Sequence, residues 1–264
     1  MQKERREAIR SLLERQPFVS LEEMSSMFPD VSEMTLRRDI EYFEGRGEAI
    51  KVRGGCRSMS FISSRADDSV GVRLGECVAQ KRAIAAAAAL HLETGRSIFI
   101  DSGSTMRTFV SLIPRLRYSF TTTDPAIALE LSKAATSVVN IVGGRLEFDN
   151  QTVTGLQATR FLSGINIDMA FLSPSGFSAD SGFTVANFNE CELKRIVVEK
   201  ARVVIMLMDS SKYDRSLPYT FCTLADADFI ITDNGAPQEL SGIAARYGTS
   251  VVFADEENHS ETKD

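Results

Sequence analysis

The chain has 264 residues, 43% of them hydrophobic, and a formal net charge of −6, a composition typical of a globular protein rather than a disordered one. No apolar run approaches the ~20 residues that a membrane span needs, and the charged start MQKERREAIR has no signal-peptide core. Four scattered cysteines and two histidines favour reduced thiols and disfavour a zinc site or a histidine-based triad. We therefore expect a cytoplasmic protein without a cofactor or metal.

Charge divides the chain into two parts. The first 60 residues carry 11 basic and 11 acidic side chains, so the net charge of −6 belongs to the remainder. Small and polar residues in SMSFISSRADDSVGVR interrupt the pattern between the two parts. We predict a first domain over residues 1–60, a linker over 61–75 and a second domain over 76–264.

The first domain is predicted to contain three short helices and a hairpin. KERREAIRSLLERQ spaces its apolar residues at helical intervals. Ser20 is a candidate N-cap of the second helix, and Ser32 is a candidate N-cap of the third. EAIKVRGGCRSMSFI then predicts two short strands joined through Gly54 and Gly55.

The third helix carries two adjacent arginines, in VSEMTLRRDI, although its surroundings are not basic. At ~100° per residue, Leu36, Ile40 and Phe43 form one buried stripe, with Arg38 almost opposite and Arg37 beside it. A helix–turn–helix places such a helix in the DNA major groove, where arginine binds guanine or phosphate. The alternative is that the arginines pair with acidic neighbours on a solvated helix, namely Asp39, Glu41 or Glu44.

The order of elements favours DNA binding over that alternative. A capped helix, a turn, a capped arginine helix and a Gly-Gly hairpin with basic residues follow one another directly. The expected DNA interface comprises the caps, the exposed side of the third helix and the hairpin, namely Ser20, Ser32, Met34, Thr35, Arg37, Arg38, Lys51, Arg53, Gly54 and Gly55.

The second domain alternates helical segments with short apolar runs that end in small polar residues. The runs are SIFID, YSFTTTD, SVVNIVGG, DMAFLSPSG, VVIMLMDSSK and FIITDNG. The helical segments include KRAIAAAAALHL, MRTFVSLI and PAIALELSKAA. This alternation predicts an α/β domain with a mostly parallel sheet, in which ligands bind at the carboxyl ends of the strands.

The strand end DSGST, residues 101–105, is the sharpest candidate site. Gly103 allows a ligand to approach the backbone, and the start of the next helix favours an anion. Ser102, Ser104 and Thr105 add hydroxyl donors, and Asp101 can accept hydrogen bonds from a polyol. An ordinary strand–helix turn would use the same residue types.

Three lysines and a second strand end extend this candidate. Lys81, Lys194 and Lys212 are each expected to be exposed when considered singly. Asp124 precedes a helix start, so it either binds sugar hydroxyls or caps that helix. Together with DSGST these residues predict recognition of a phosphate by cations and amides, and of a sugar by hydroxyls and carboxylates.

Both parts resemble the DeoR family of bacterial transcription regulators. Ser32 to Ile40 matches the family's S-x-x-T-[IL]-R-R-D-[LI] recognition helix, and the basic residues before Gly54 and Gly55 match its wing. The second part matches family motifs at Lys81, Ile84, Ala85, Asp101, Gly103, Ser104, Thr105, Gly143, Gly144, Asp168, Ala170, Phe171, Glu190, Lys194, Asp209, Ser211, Lys212 and Asp228–Asp233.

The resemblance implies a winged helix–turn–helix followed by a sensor domain. That domain is similar in fold to ribose-5-phosphate isomerases and CoA-transferase-like proteins, and its implied effector is a phosphorylated sugar or related metabolite. The family pattern adds Thr123 and Gly176 to the candidate effector-binding residues.

The leading hypothesis is therefore a regulator, and not an enzyme. It represses a carbohydrate-utilisation operon, binds operator DNA as a homo-oligomer and responds to a sugar phosphate. One alternative is a sugar-phosphate isomerase with Asp101, Asp124 or Glu190 as base, but the arginine helix has no role there and no acid/base dyad is identifiable. The other is an architectural DNA-binding protein, which the acidic second domain disfavours.

Overall fold

The polypeptide folds as two units, Met1–Asp68 and Ser69–Asp264. The structure is a computed structural model that describes residues 2–16, 18–46, 48–52, 54–58, 70–133, 137–147 and 150–255. Within those ranges, every helix is too short or too polar to cross a bilayer.

The first unit packs three helices against a small antiparallel sheet of order β1–β3–β2. Its elements are α1 (Gln2–Arg15), β1 (Phe18–Ser20), α2 (Leu21–Met27), α3 (Glu33–Gly45), β2 (Ala49–Val52) and β3 (Gly55–Ser58). The predicted three helices and hairpin are confirmed. Strand β1 is additional, and Gly55 begins β3 and does not lie in the turn.

The second unit begins with a helix inside the predicted linker and continues as an α/β domain. Its elements are α4 (Val70–Leu74), α5 (Val78–Ala89), β4 (Ser97–Ile100), α6 (Ser104–Ser111), β5 (Ser119–Thr122), α7 (Pro125–Leu131), β6 (Val138–Ile141), β7 (Arg145–Leu146), β8 (Val153–Thr154), α8 (Leu156–Ser163), β9 (Ile167–Leu172), β10 (Gly176–Ser178), β11 (Gly182–Val185), α9 (Phe188–Lys200), β12 (Ala201–Leu207), β13 (Tyr219–Cys222), β14 (Phe229–Asp233), α10 (Glu239–Ala245) and β15 (Ser250–Ala254).

Seven parallel strands form the main sheet, in the order β15–β14–β12–β9–β4–β5–β6. The predicted parallel α/β architecture is therefore confirmed. The chain builds outward from β4 to β6 and then returns to β9, on the other side of β4. That reversal makes the carboxyl ends of β4 and β9 a topological switch point, where open α/β sheets bind ligands.

Alternating side chains bury both faces of this sheet. Phe99, Ala170 and Met206 belong to one apolar cluster, whereas their neighbours Ile100 and Phe171 belong to another. Helices α5, α6 and α7 cover the second face, while α8, α9 and α10 cover the first with the antiparallel sheet β10–β11–β13. Because both faces of the sheet are buried, the sequences of its strands are continuous apolar runs.

A buried carboxylate fixes helix α3 to helix α1. Asp39 is 1% exposed and accepts hydrogen bonds from Arg5 Nε at 2.6 Å and Arg6 Nε at 2.7 Å. The guanidinium carbon of Arg6 also lies 3.7 Å from the ring centroid of Tyr42, on the same helix. The alternative in which Asp39 neutralises the arginines of its own helix is therefore wrong.

We predict that Asp39→Asn destabilises the first unit. The substitution removes the negative charge that two part-buried guanidinium groups require, so the free energy of unfolding should fall by about 1.5–3 kcal/mol. Asp30→Asn makes the same charge change at an exposed turn residue and should alter it by less than about 0.5 kcal/mol. Urea unfolding of the full-length chain measures both values, and equal effects would contradict this role for Asp39.

Candidate functional sites

The exposed side of α3 carries the arginines as predicted. Met34 is 62% exposed, and Arg37 and Arg38 are exposed beyond the buried Leu36 stripe. Arg37 makes a solvent-exposed 3.4 Å ion pair with Glu33. Within the described ranges Arg38 makes no hydrogen bond or ion pair. Because exposed pairs contribute little, both guanidinium groups remain available to a phosphate or a base.

The start of α3 is capped by the predicted serine. Ser32 Oγ accepts a hydrogen bond from the Thr35 amide at 3.4 Å and lies 3.0 Å from Thr35 Oγ1. Ser20 Oγ likewise accepts from the Glu23 amide at 3.0 Å, at the start of α2. These hydroxyls therefore have a structural role, and their contact with DNA stays a prediction.

The hairpin between β2 and β3 depends on its glycines. Gly54 has φ +86°, in the left-handed region, and its carbonyl accepts a 2.8 Å hydrogen bond from the Leu21 amide. A Cβ on Gly55 would lie 2.2 Å from the Val19 carbonyl oxygen, so a larger residue would separate β3 from β1. Arg53 lies outside the described residues.

Lysine 51 links the hairpin to α3. Lys51 Nζ lies 2.7 Å from Glu41 Oε1, and the Lys51 amide donates to Glu44 Oε1 at 2.9 Å. The hydrogen bond from Lys51 lowers the pKa of Glu41, and the charges of Lys51 and Arg38 add to the effect. Lys51 must exchange this exposed partner for a phosphate if it contacts DNA.

The turn from β4 into α6 presents donors that no described residue accepts from. Gly103, at the N-cap of α6, has φ +104°, and no side chain caps the first-turn amides. Ser102, Ser104 and Thr105 are 4–5% exposed, yet their hydroxyls make no hydrogen bond to any described residue. A helix start with unpaired amides and hydroxyls is suited to an anion.

The guanidinium group of Arg73 lies beside this turn, and its charge acts on two lysines. Arg73 Nη1, on α4, lies 4.0 Å from the position that a Cβ on Gly103 would occupy. The pKa of Lys212 is lowered because burial desolvates its ammonium group, and the charges of Arg215, Arg73 and Lys81 add to that shift, whereas Asp209 opposes it. The ammonium group of Lys212 forms no ion pair or hydrogen bond within the described part of the chain.

Lysine 81 is buried, contrary to the expectation of exposure. It is 3% exposed, and its Nζ donates to the carbonyl oxygens of Arg73 at 2.5 Å and Glu76 at 2.7 Å. Burial lowers the pKa of Lys81. The ammonium group thus holds the end of α4 beside the turn, in addition to contributing charge.

A second network occupies the switch point between β4 and β9. Lys194 Nζ lies 2.7 Å from Asp101 Oδ2, 3.0 Å from Glu190 Oε1 and 2.6 Å from the Ser173 carbonyl oxygen. Although burial opposes its charge, the carboxylates of Asp101 and Glu190 raise the pKa of Lys194. Asn150 donates to the other oxygen of Glu190 at 2.6 Å. Asp101 and Lys194, two of the predicted effector residues, therefore meet at this site although they are 93 positions apart.

Asp124 acts as a helix cap, which is one of its two predicted roles. Its Oδ1 accepts hydrogen bonds from the Ala126 and Ile127 amides at 2.8 and 3.3 Å, and Arg107 donates to both carboxylate oxygens at 3.0 and 3.2 Å. Thr123 Oγ1 accepts a 3.1 Å hydrogen bond from Thr152. Binding of a sugar by Asp124 or Thr123 stays a prediction.

Gly176 provides space for a neighbouring segment. A Cβ there would lie 2.6 Å from the Arg215 carbonyl oxygen, so the glycine lets the residues after Lys212 pack against β10. Sequence reasoning missed Arg73, Arg107 and Arg215. Arg73 lies in the predicted linker, and no motif marks the other two.

We predict that Lys194→Met strongly destabilises the second unit. Removal of the ammonium group leaves two carboxylates close together in a buried environment, which should cost about 3–5 kcal/mol of unfolding free energy. Lys133→Met removes an exposed lysine that pairs with Glu130 and should cost less than about 0.5 kcal/mol. Urea unfolding tests this, and a Lys194→Met variant as stable as the wild type would contradict the assignment.

Two family models cover most of the chain. The DeoR C terminal sensor domain matches residues 76–234, and the DeoR-like helix-turn-helix domain matches residues 5–61. A proposed aga operon transcriptional repressor of Escherichia coli O157:H7 is 28% identical over 254 residues, 96% of this chain and 94% of that protein. The HTH-type transcriptional regulator GlpR of Haloferax volcanii is 29% identical over 222 residues, 84% of this chain and 86% of that protein.

Among solved structures, ribose 5 phosphate isomerase A from Neisseria gonorrhoeae covers 52% of this chain and 54% of that chain, with 16% identity and a TM-score of 0.38. A score this low supports no conclusion about activity. The family models and the relatives instead describe regulators, which confirms the predicted regulator and leaves the isomerase alternative unsupported. Since the sensor-domain match alone spans more than half of its length, the chain belongs to the DeoR family of DNA-binding transcriptional regulators.

Proposed function

We propose that this regulator represses a carbohydrate-utilisation operon and that a phosphorylated sugar, bound at the 101–105 turn, changes its affinity for operator DNA. The observation that carries the proposal is the turn itself. Amides and hydroxyls at the start of α6 that no described residue pairs with lie beside Arg73, whose charge also acts on Lys212. A phosphate ester supplies the negative charge and the acceptor oxygens that this arrangement lacks.

The network at the switch point supports a sugar beside that phosphate. Asp101 Oδ2 is used by Lys194 and Ser173, but within the described residues Oδ1 accepts no hydrogen bond. Glu190 holds a second carboxylate at the same place, with 12% of its side chain exposed. Carboxylate oxygens accept hydrogen bonds from hydroxyl groups. A polyol joined to a phosphate therefore matches the two adjoining halves of the site.

The proposed effector site includes every effector residue that was predicted from the sequence. We assign direct contact with the effector to the 101–105 turn and to Lys212. The remaining residues are proposed to support the turn. The full set is Lys81, Asp101, Ser102, Gly103, Ser104, Thr105, Thr123, Asp124, Gly176, Lys194 and Lys212. Neither a cofactor nor a metal ion is part of the proposed mechanism.

The operator is proposed to be read by two or more copies of the chain. One arginine helix contacts one half-site, and a symmetric dimer would contact half-sites about one helical turn, ~34–36 Å, or a multiple of it apart. Edge strand β6 offers a surface for association, because Val138 is 62% and Ile141 50% exposed. Sedimentation analysis of the full-length chain would measure the number of subunits.

Operator binding by the full-length chain tests the proposal. Fluorescence anisotropy would use DNA from upstream of the gene neighbourhood, at fixed salt, with paired sugars and sugar phosphates. We expect one sugar phosphate, but not its unphosphorylated sugar, to change the dissociation constant. Arg38→Ala should weaken operator binding by about 1–3 kcal/mol. Arg46→Ala, which removes an exposed arginine at the other end of α3, should change it far less.

Three results would contradict the proposal. The first is sequence-independent DNA binding that disappears at moderate salt. The second is an equal effect of both arginine substitutions on operator affinity, and the third is an operator affinity that no phosphorylated sugar changes. Consumption of a sugar phosphate by the protein would also contradict it and would favour the enzyme alternative.

The lowered pKa of Lys212 predicts a pH dependence of effector binding. Because its pKa lies below the ordinary 10.5, Lys212 loses its proton at a lower pH than a solvated lysine does. Affinity for a phosphate should therefore fall as the pH rises from about 7.5 to about 10, a window in which the phosphate stays dianionic. Calorimetric titration at several pH values measures this fall.

Lys212→Arg should make the fall shallower, since arginine remains charged throughout this range. Lys133→Arg, at an exposed site, should leave the slope unchanged. A wild-type affinity that is constant with pH, or a slope that Lys212→Arg does not alter, would show that Lys212 does not hold the anion.

A further inference from the structure

We propose that Asn150 is a ligand of the effector's sugar and that, paired with Glu190, it determines which sugar the site accepts. This inference rests on the proposed function, because it concerns the sugar half of the same site. It adds a residue that lies outside the effector residues predicted from the sequence, and it gives a physical basis for selectivity among sugars of the same size.

Asn150 belongs to a short segment, residues 150–152, at the carboxyl end of the main sheet. Thr152 Oγ1 donates a 3.1 Å hydrogen bond to Thr123 Oγ1, and the next amide, that of Val153, donates to the Thr123 carbonyl oxygen at 2.8 Å. Thr123 directly follows strand β5, which is the neighbour of β4. The segment therefore lies beside the strand end that carries the 101–105 turn.

The 150–152 segment contacts helices on both faces of the sheet. Gln151 Oε1 accepts a 2.8 Å hydrogen bond from Arg107 Nη2, on α6. Asn150 Nδ2 donates to Glu190 Oε2 at 2.6 Å, on α9. Helix α9 covers one face of the sheet and α6 covers the other. The segment thus passes across the carboxyl edge, where open α/β sheets bind their ligands.

Buried residues after Asn150 hold its main chain in place. Thr152, Val153 and Thr154 are all buried, and Thr154 Oγ1 donates to Glu147 Oε1 at 2.8 Å. Asn150 itself is half-buried, so its amide group is accessible while its backbone is fixed. A group that is already in position loses little conformational freedom when it binds a ligand.

Asn150 and Lys194 together orient the carboxylate of Glu190. Lys194 Nζ lies 3.0 Å from Oε1, and Asn150 holds Oε2, while 12% of the Glu190 side chain remains exposed. Lys194 also lies 2.7 Å from Asp101 Oδ2. A continuous chain of contacts therefore joins Asn150 to the first residue of the 101–105 turn, where the phosphate is proposed to bind.

The amide and the carboxylate together can recognise one hydroxyl group in both of its hydrogen-bonding roles. Within the described residues, Asn150 Nδ2 donates to Glu190 alone, so a second N–H remains. A sugar hydroxyl beside the pair would donate to Glu190 and accept from Asn150. An epimer or a deoxy sugar would leave these partly buried groups without partners, which weakens binding. Selectivity then depends on the configuration of a hydroxyl and not on the size of the sugar.

The test compares Asn150→Ala, Asn150→Gln and the control Asn166→Ala in the full-length chain. Asn166 is an exposed asparagine directly before β9, at the amino end of the sheet and so at the opposite edge from the site. The probes are inorganic phosphate, the 6-phosphates of glucose, mannose and galactose, and the 5-phosphates of ribose and arabinose. Calorimetry measures the dissociation constant for each probe, and urea unfolding checks that each variant is folded.

We expect the wild type and Asn166→Ala to prefer the same sugar phosphate over its epimer. Asn150→Ala should bind the preferred sugar phosphate about tenfold more weakly or worse and should discriminate less between epimers. Its affinity for inorganic phosphate should stay within about twofold of the wild-type value, because the 101–105 turn is unchanged. Asn150→Gln, which keeps an amide one methylene farther from the main chain, should lose less affinity and shift the epimer preference.

Equal losses of affinity for inorganic phosphate and for the sugar phosphates in Asn150→Ala would show a structural role and overturn the assignment. An epimer preference that neither Asn150 variant changes would also overturn it. A wild type that binds no sugar phosphate more tightly than inorganic phosphate would refute sugar recognition at this place and leave the anion site standing. If the wild type binds none of the probes, the proposed function itself is wrong, and that result appears before any variant is compared.

Discussion

The proposed anion site depends on the uncapped start of α6 and on the guanidinium group of Arg73 beside it. The charge of Arg73 acts on Lys81 and Lys212, and the charge of Arg215 acts on Lys212, with Asp209 as an opposing charge. Partly buried like charges raise the free energy of the folded state unless a counter-charge is present. An anionic ligand adds a further negative charge, and under the proposed function its binding would alter the protein through these cations.

The two halves of the site differ in their electrostatics. At the switch point Lys194 is matched by Asp101 and Glu190, so this network is internally neutralised and suited to orient hydroxyl groups. Around Gly103 the described residues provide no acceptor for the hydroxyls of Ser102, Ser104 and Thr105, and no side chain caps the start of α6. In the proposed site, the first half would select among sugars and the second would bind the phosphate. In the first unit, Asp39 pairs with Arg5 and Arg6 of α1 and not with Arg38.

Local sequence patterns predicted much of the fold and of the candidate sites. The α3 stripe follows from helical periodicity, its cap from Ser32, and the sheet from apolar runs that end in small polar residues. Long-range pairing was not predictable, because no spacing rule joins Asp101 to Lys194 or Asp39 to Arg5. Arg73 was missed for another reason: a five-residue helix in a polar stretch has no periodic signal. Strands β10, β11 and β13 are similarly short and take their stability from tertiary packing.

The most direct test of the account is to locate an anion in crystals of the full-length protein. Tungstate resembles phosphate in shape and charge, and its anomalous scattering identifies its position without ambiguity. The account predicts tungstate at the start of α6, within hydrogen-bonding distance of the Ser104 and Thr105 amides and in contact with Arg73 or Lys212. Crystals that hold tungstate elsewhere while this turn remains empty would contradict the central claim.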